Sequence, residues 1–332
     1  MDASFIMLAL VVLLALAFDY TNGFHDSANA IATIVSTRVL RPTTAVIYGG
    51  ILNFVGAMMG TEVAATIGKG LVDPAVLNTG TVLCTVATAI VWNLLTWWRG
   101  LPTSSSHALI GALIGAAAAS AGTGAVKGGA VMSKVIGPMV LSPVMGFVAG
   151  FVLMTALTWL IHRLKPGLIN RLFGRLQIVS AGFMALNHGR NDAQKSMGII
   201  ALALLLAHPG AQFAVPLWVK LSCALAMGAG TMSGGWRIVR TLGSKMIKLQ
   251  PVHGFAAETT ASIIIGVTAH FGIPVSTTHV ISTSILGVGA TKRLSAVRWG
   301  IVGNIVWAWV LTIPFTALLS GLMMMLFRAL AG

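Results

Sequence analysis

The sequence predicts an all-α protein that crosses a lipid bilayer many times. It is expected to be built as two inverted-topology repeats with roughly 10–12 membrane helices, some of them broken. Three observations predict this. Of 332 residues, 56% are hydrophobic and only 8% are charged. Twelve apolar stretches follow one another along the chain. Two polar motifs each occur twice, in the same order.

A soluble domain is about 25% charged. The 28 charged side chains present cannot supply the polar surface of a soluble fold this long. Composition therefore excludes a soluble enzyme, a nucleic-acid-binding module and a disordered scaffold. The net charge of +14 does not change this, because the basic residues sit at the ends of apolar runs. Arg38 and Arg41 close one run. His162, Arg163, Lys165, Arg171 and Arg175 fill the centre, and Arg237, Arg240, Lys245 and Lys248 close another. These read as cytoplasmic loops. Cys84 and Cys223 lie inside apolar runs and read as small packing residues, without a disulfide framework or metal set. Met1 to Phe18 lacks the basic start of a cleaved signal peptide and reads as the first half of a retained helix.

The apolar stretches cover residues 4–20, 28–40, 43–60, 80–98, 106–120 and 135–161, then 176–187, 193–207, 214–232, 255–271, 279–290 and 297–327. A spanning helix needs about 20 apolar residues, so the shorter pieces read as broken helices. Glycines 122, 124, 128 and 129 mark a loop. The basic segment 162–175 is the expected cytoplasmic linker between a first repeat, 1–161, and a second, 176–332.

In the first half Asn22-Gly23-Phe24-His25-Asp26-Ser27-Ala28-Asn29 interrupts an apolar block. In the second, His188-Gly189-Arg190-Asn191-Asp192-Ala193-Gln194-Lys195 does the same, with the aspartates 166 residues apart. Leu101-Pro102-Thr103-Ser104-Ser105-Ser106-His107 matches Ile273-Pro274-Val275-Ser276-Thr277-Thr278-His279 at an offset of 172. Gly60-Thr61 and Gly230-Thr231 form a weaker third pair. Two motif pairs at nearly one offset argue for duplication. If each half has an odd number of crossings, the second is inserted upside down, and such repeats place a site near the midplane. The basic centre then lies inside and both termini outside.

Seven residues are acidic: Asp2, Asp19, Asp26, Glu62, Asp73, Asp192 and Glu258. Asp2 and Asp73 have terminal or loop context, and Glu62 reads as solvated near a helix end. Asp26 and Asp192 lie inside apolar blocks, where a charge costs about 2.5–3.5 kcal/mol. Repeated at equivalent positions, they read as functional rather than as helix caps. In the second motif proline turns the chain, and Ser104, Ser105 and Ser106, or Ser276, Thr277 and Thr278, precede a new helix. Helix N-termini bind anions. Two of them meeting head to head, with hydroxyls and amides, suit a hydrated tetrahedral oxyanion.

The segment Gly23–Ala30 (GFHDSANA), the segment Gly189–Ser196 (GRNDAQKS) and the two hairpin tips resemble the signatures of the inorganic phosphate transporter (PiT) family. The string Asn22 to Thr33 is most like bacterial low-affinity phosphate permeases. The resemblance spans residues 15–320, though the central loop is shorter than in many members. It implies an inverted-repeat carrier with two re-entrant helical hairpins in the bacterial cytoplasmic membrane, expected as a homodimer. It implies phosphate bound by Asp26, Asn29, Ser104, Ser105, Ser106, Asn191, Asp192, Ser276, Thr277 and Thr278. It implies cation coupling through Asp26, Asn29, Asp192 and Glu258, with sodium, if used, at Asp26, Asn29 and Asp192; His25, where many members have Asn, and Gln194 and Lys195, where the first motif has Ala28-Asn29, depart from the family pattern and are read as further coupling residues. No cofactor beyond a coupling H+ or Na+ is implied, and phosphate enters free or as a divalent metal complex.

Phosphate and two ionised aspartates repel one another by about 4 kcal/mol per pair at 4 Å and an effective dielectric of 20. The site fills only if cations enter too, which is the reason to expect symport. Lys195 stands where the first motif has Asn29, so a fixed ammonium can replace a sodium ion beside Asp192. With His25 next to Asp26, this favours protons. Arg190 is open to two readings, a phosphate contact or an ion pair with Asp192. Arg99, beside Trp97 and Trp98, reads as an interfacial anchor. His107 and His279 read as first-turn packing, Asn53 as a path-lining or interhelical residue, and Met323–Met325 as packing surface. Sulfate is the alternative substrate. An intramembrane phosphatase using Ser106-His107 or His25-Asp26 is a distant alternative, and a channel a third. Duplication of every element suits a carrier rather than a single active site.

Overall fold

The computed structural model describes residues 3–208 and 210–331; Asp2 lies outside them. The described residues are helical, and an isolated bridge pairs Val72 with Val126. Ten helices of 14 residues or more account for the twelve apolar stretches. They are α1 (Ala3–Ser36), α2 (Pro42–Ala57), α4 (Thr79–Arg99), α5 (Ser105–Ala121), α7 (Gly137–Ile161), α8 (Pro166–Ala207), α9 (Leu217–Ser233), α11 (Pro251–His270), α12 (Thr277–Ala290) and α13 (Trp299–Ala331). Three short helices, α3 (Glu62–Ala65), α6 (Gly128–Val131) and α10 (Trp236–Arg240), each run on into a π-helical turn.

Two expectations are corrected here. Neither aspartate motif breaks its helix. Stretches 4–20 and 28–40 are one helix of 34 residues, α1, and stretches 176–187 and 193–207 lie in one helix of 42 residues, α8. The intervening side chains are polar, yet the backbone bonding runs on through both motifs and the side chains project into the buried interior. The basic segment 162–175 is not a loop either: only residues 162–165 separate α7 from α8. Pro166 begins α8 at the position where a missing N–H costs nothing.

Four helical spans are long and apolar enough to cross a membrane: Phe5–Ser36, Thr79–Arg99, Gly128–Ile161 and Trp299–Leu330. Pro42–Ala57 and Glu62–Gly70, bent by 65°, make a fifth if taken together. Large apolar side chains cover the outside, among them Trp159 and Leu160 at 78% exposed and Phe271 at 71%. The inside carries the polar residues, with Asp19, Asp192, Lys195 and Glu258 fully buried. This is the reverse of a soluble protein and fits lipid as solvent.

The packing of one half is interlaced with that of the other. Helix α1 lies on α9 and α4, and α8 lies on α2 and α11. Helix α5 packs on α13 and α4, and α12 on α7 and α11. Close backbone approach makes this packing tight, as lipid-immersed helices require. A Cβ on Gly115 would sit 1.9 Å from the Ala317 carbonyl oxygen. Gly100, with φ of 66°, ends α4 in the left-handed region and lets the chain turn toward Pro102.

Gly115→Ala forces α5 and α13 apart, since backbone cannot yield as a side chain does. It should destabilise the protein by about 1–3 kcal/mol, read as a lower midpoint of thermal unfolding in detergent. Gly128→Ala, with nothing within 4 Å of the added carbon, should leave the midpoint unchanged.

Candidate functional site

Four helix segments converge. The motif turns of α1 and α8 bring their aspartates, and the first turns of α5 and α12 bring their hydroxyls. Ser104 accepts a hydrogen bond from the His107 N–H at 3.2 Å and Ser276 from the His279 N–H at 3.2 Å, so each caps its helix. The two capped ends meet, with the rings of His107 and His279 4.8 Å apart edge to face. His279 also stacks on Trp309 at 4.0 Å. The histidines therefore pack the two helix ends against each other, with no ring hydrogen bond to the backbone among the described residues.

The two acids lie side by side. Oxygens of Asp26 and Asp192 and a ring nitrogen of His188 all lie within 4.8 Å of one another, a set able to hold a metal ion. Asp26 receives the Ser105 hydroxyl at 3.3 Å and the Thr278 hydroxyl at 3.4 Å. His25 Nδ1 is 2.6 Å from Asp26 Oδ1, and its Nε2 is 3.0 Å from the Thr96 hydroxyl. Asp192 is paired with the Lys195 ammonium and receives the Asn191 amide at 2.8 Å and the Thr277 hydroxyl at 3.1 Å. His188 Nε2 approaches Asp192 at 3.3 Å without hydrogen-bond alignment.

The contacts cross between the halves. Asn29 on α1 donates to Thr277 at 3.2 Å and Thr278 at 2.9 Å on α12. Lys195 on α8, at the equivalent position, donates to Ser106 on α5. Each motif helix thus grips the hydroxyl tip of the other half. All these side chains are at most 3% exposed. Such a cluster in a dry interior multiplies every charge interaction.

Eight of the expected phosphate-site residues gather here: the pair Asp26 and Asp192, then Ser105, Thr278, Asn191 and Thr277 in direct contact with an acid, and Asn29 and Ser106 one step out on Thr277, Thr278 and Lys195. Ser104 and Ser276 stand next to them with their oxygens occupied as caps. Two expected coupling residues lie elsewhere. Gln194 faces α3, where its amide oxygen accepts from the N–H groups of Val63 at 2.7 Å and Ala64 at 3.3 Å. Glu258 is held by Thr33, by the Gln177 amide at 3.1 Å and by Ser180. Arg190 forms no ion pair with Asp192 among the described residues; Lys195 takes that place. Arg99 is exposed and lies over the Trp98 ring at 5.3 Å. Asn53 ties α8 to α9 through His188 and Thr231. Glu62 is exposed and accepts from the Thr61 N–H at 3.0 Å. Cys84 and Cys223 are buried free thiols.

Sequence reasoning assigned no role to His188, Thr96 or Thr33. One signal for His188 was available. The first motif reads Asn22-Gly-Phe-His25-Asp26 and the second His188-Gly-Arg-Asn191-Asp192, with Asn and His exchanged. Each aspartate thereby obtains one histidine.

Removing Lys195 leaves Asp192 buried without its cation. Lys195→Met should cost about 3–5 kcal/mol of stability, measured by thermal unfolding in detergent. Adding Asp192→Asn to it should recover most of that loss, because the pair rather than either charge is what the interior accommodates.

The sequence pattern of the phosphate transporter family matches residues 22–170 and 162–320. Over 326 residues the chain is 48% identical to a "Probable low-affinity inorganic phosphate transporter" of Rhizobium meliloti (strain 1021), covering 97% of both chains. It is 46% identical to a protein of the same description from Bacillus subtilis (strain 168), again covering 97% of both. In fold it is similar to a solved structure titled "The sodium-dependent phosphate transporter", with a TM-score of 0.89, 22% identity and coverage of 98% and 99%. Matched along nearly its whole length, the chain belongs to the phosphate transporter family.

Proposed function

We propose that the protein is a secondary active symporter that imports inorganic phosphate across the bacterial cytoplasmic membrane. The observation that carries this is the meeting of Asp26 and Asp192 beneath two capped helix N-termini. Charge balance gives the mechanism. Asp26 and Asp192 contribute two negative charges and Lys195 one positive charge, so the centre is already negative before phosphate arrives. The anion adds to a repulsion of about 4 kcal/mol per close pair. Loading therefore needs a cation with the anion.

The fixed ammonium of Lys195 serves the α8 side, which leaves Asp26 as the place for the mobile cation. His25 bridges Asp26 and Thr96, an arrangement suited to carrying a proton. Protons are therefore favoured over sodium. The Ser105, Ser106, Thr277 and Thr278 hydroxyls donate to the acids or accept from Asn29 and Lys195. On loading they turn to the phosphate oxygens together with free N–H groups of α5 and α12. Carboxyl groups that accept the phosphate O–H favour phosphate over sulfate.

The wider architecture supports a carrier. The order α1, α2, α3, α4, α5, α7 is matched by α8, α9, α10, α11, α12, α13, and the contacts of each half recur in the other. We read this as two inverted repeats, residues 1–161 and 176–332, with α4–α5 and α11–α12 as re-entrant hairpins. Burial of the site from both sides fits a carrier that opens alternately to each face. Trp98, Arg99, Trp236, Arg237, Arg240 and Lys245 line a basic cavity of ≈ 420 Å³. With Arg38, Arg41 and Arg171, it marks the cytoplasmic side. By family resemblance two copies pair.

Uptake of labelled phosphate into proteoliposomes tests this. An imposed pH gradient should drive accumulation without sodium, and a protonophore should collapse it. Asp26→Asn, and Asp192→Asn combined with Lys195→Met so that no charge is left unpaired, should each reduce driven uptake at least about tenfold, the effect of 1.4 kcal/mol, in protein that still purifies as a single folded species. Uptake that requires sodium and ignores the pH gradient rejects the proton; near-normal uptake in both variants rejects the site.

A further inference from the structure

A third acid faces the interior of α1. Asp19 is fully buried, and neither carboxylate oxygen has a hydrogen-bond partner. Its surroundings repeat the pattern. Asn22, one turn along α1, is fully buried with neither amide atom partnered among the described residues. The fully buried Ser196 hydroxyl on α8 and the Cys223 thiol on α9 stand beside the carboxylate, close enough to interact with it but outside aligned hydrogen-bond geometry. The walls are apolar: Val11, Ala15, Phe18 and Met227 belong to the same core.

A full charge in such a place costs several kcal/mol unless it is paired. The titratable or charged groups that face Asp19 are Cys223 on α9 and, farther off, Asp192 and Lys195 on α8. The thiol supplies no positive charge. The ammonium is committed to Asp192 and Ser106. Nothing fixed in the protein therefore balances Asp19. Neutralisation by a cation from outside does, and the polar atoms left open around it define where that cation enters.

Position decides which step Asp19 serves. Asp19, Asp26 and Thr33, the last bound to Glu258, recur every seven residues along one face of α1. At 1.5 Å per residue, each step is about 10 Å. With the basic end of α1 inside, Asp19 lies on the outer side of the two-aspartate centre and Glu258 on the inner side.

We propose that Asp19, with Asn22 and Ser196, is a separate proton-binding site on the outer side of the phosphate centre, through which a coupling proton is loaded. This rests on the proton-symport reading above. A single carboxyl lined by one amide, one hydroxyl, one thiol and apolar carbons suits a proton. A sodium ion wants five or six oxygens in fixed geometry, which this lining does not offer. The proton transfer is a simple association: the carboxylate accepts H+ from outer water and later releases it inward, with no redox partner needed.

The test compares two transport modes in proteoliposomes with labelled inorganic phosphate. Exchange of internal for external phosphate needs no net proton movement, whereas uptake driven by a pH gradient does. Asp19→Asn, isosteric and permanently neutral, should keep exchange within about twofold of wild type and lower gradient-driven uptake about tenfold. Asp19→Glu should restore most of the driven uptake. In purified protein, infrared difference spectra between acid and neutral pH should contain a protonated-carboxyl band that Asp19→Asn removes. Three results overturn the inference: unchanged driven uptake in Asp19→Asn, equal loss of exchange and driven uptake, or removal of the band by sodium at constant pH. If instead wild-type uptake ignores the pH gradient, the symport reading itself fails, and the infrared band alone then decides whether Asp19 binds a proton.

Discussion

Everything in the centre depends on one ion pair, Asp192 with Lys195, formed within a single turn of α8 and sealed from solvent. A buried charge pair contributes little to stability by itself, and breaking it is expensive. Its value here is geometric. The ammonium also reaches Ser106 on α5, a helix of the opposite half, while Asn29 makes the matching reach from α1 to α12. The two halves are thus held at their centre by polar contacts that no lipid-facing surface can replace. A bilayer supplies no hydrophobic drive between helices, so such contacts and close backbone packing carry the assembly.

The same pair sets the chemistry. One aspartate has a permanent partner and the other does not, so the two halves differ in charge although their helices match. Asp26 instead meets His25, Ser105 and Thr278, groups that change partners or protonation without backbone movement. A centre built this way senses the charge of what enters it. The two hydroxyl tips, capped by Ser104 and Ser276, add helix N-termini whose first-turn rings, His107 and His279, pack against each other.

Much of this was legible in the residues. Composition alone required lipid, since so few charged side chains cannot cover a soluble surface. The twelve apolar stretches located nearly every long helix, and the paired motifs named the two acids and six residues that now gather around them. Other features were not legible. Polar motifs within apolar blocks read as breaks, yet α1 and α8 run straight through them, because polar side chains turned to a buried interior do not interrupt the backbone bonding of a helix. Gln194 sits in the motif but turns to cap α3, and helical phase alone does not reveal which neighbour a residue faces.

The sequence by itself determined the solvent, most of the helices, the paired motifs and the identity of the charged groups, because these follow from local composition and spacing. Only the tertiary structure decided which groups meet: Lys195 rather than Arg190 against Asp192, His188 within reach of both acids, Glu258 tied to Thr33 away from the centre, and Asp19 left without a partner. Such pairings join residues up to about 250 positions apart, and their energies depend on distance and burial. Neither quantity exists until the helices pack.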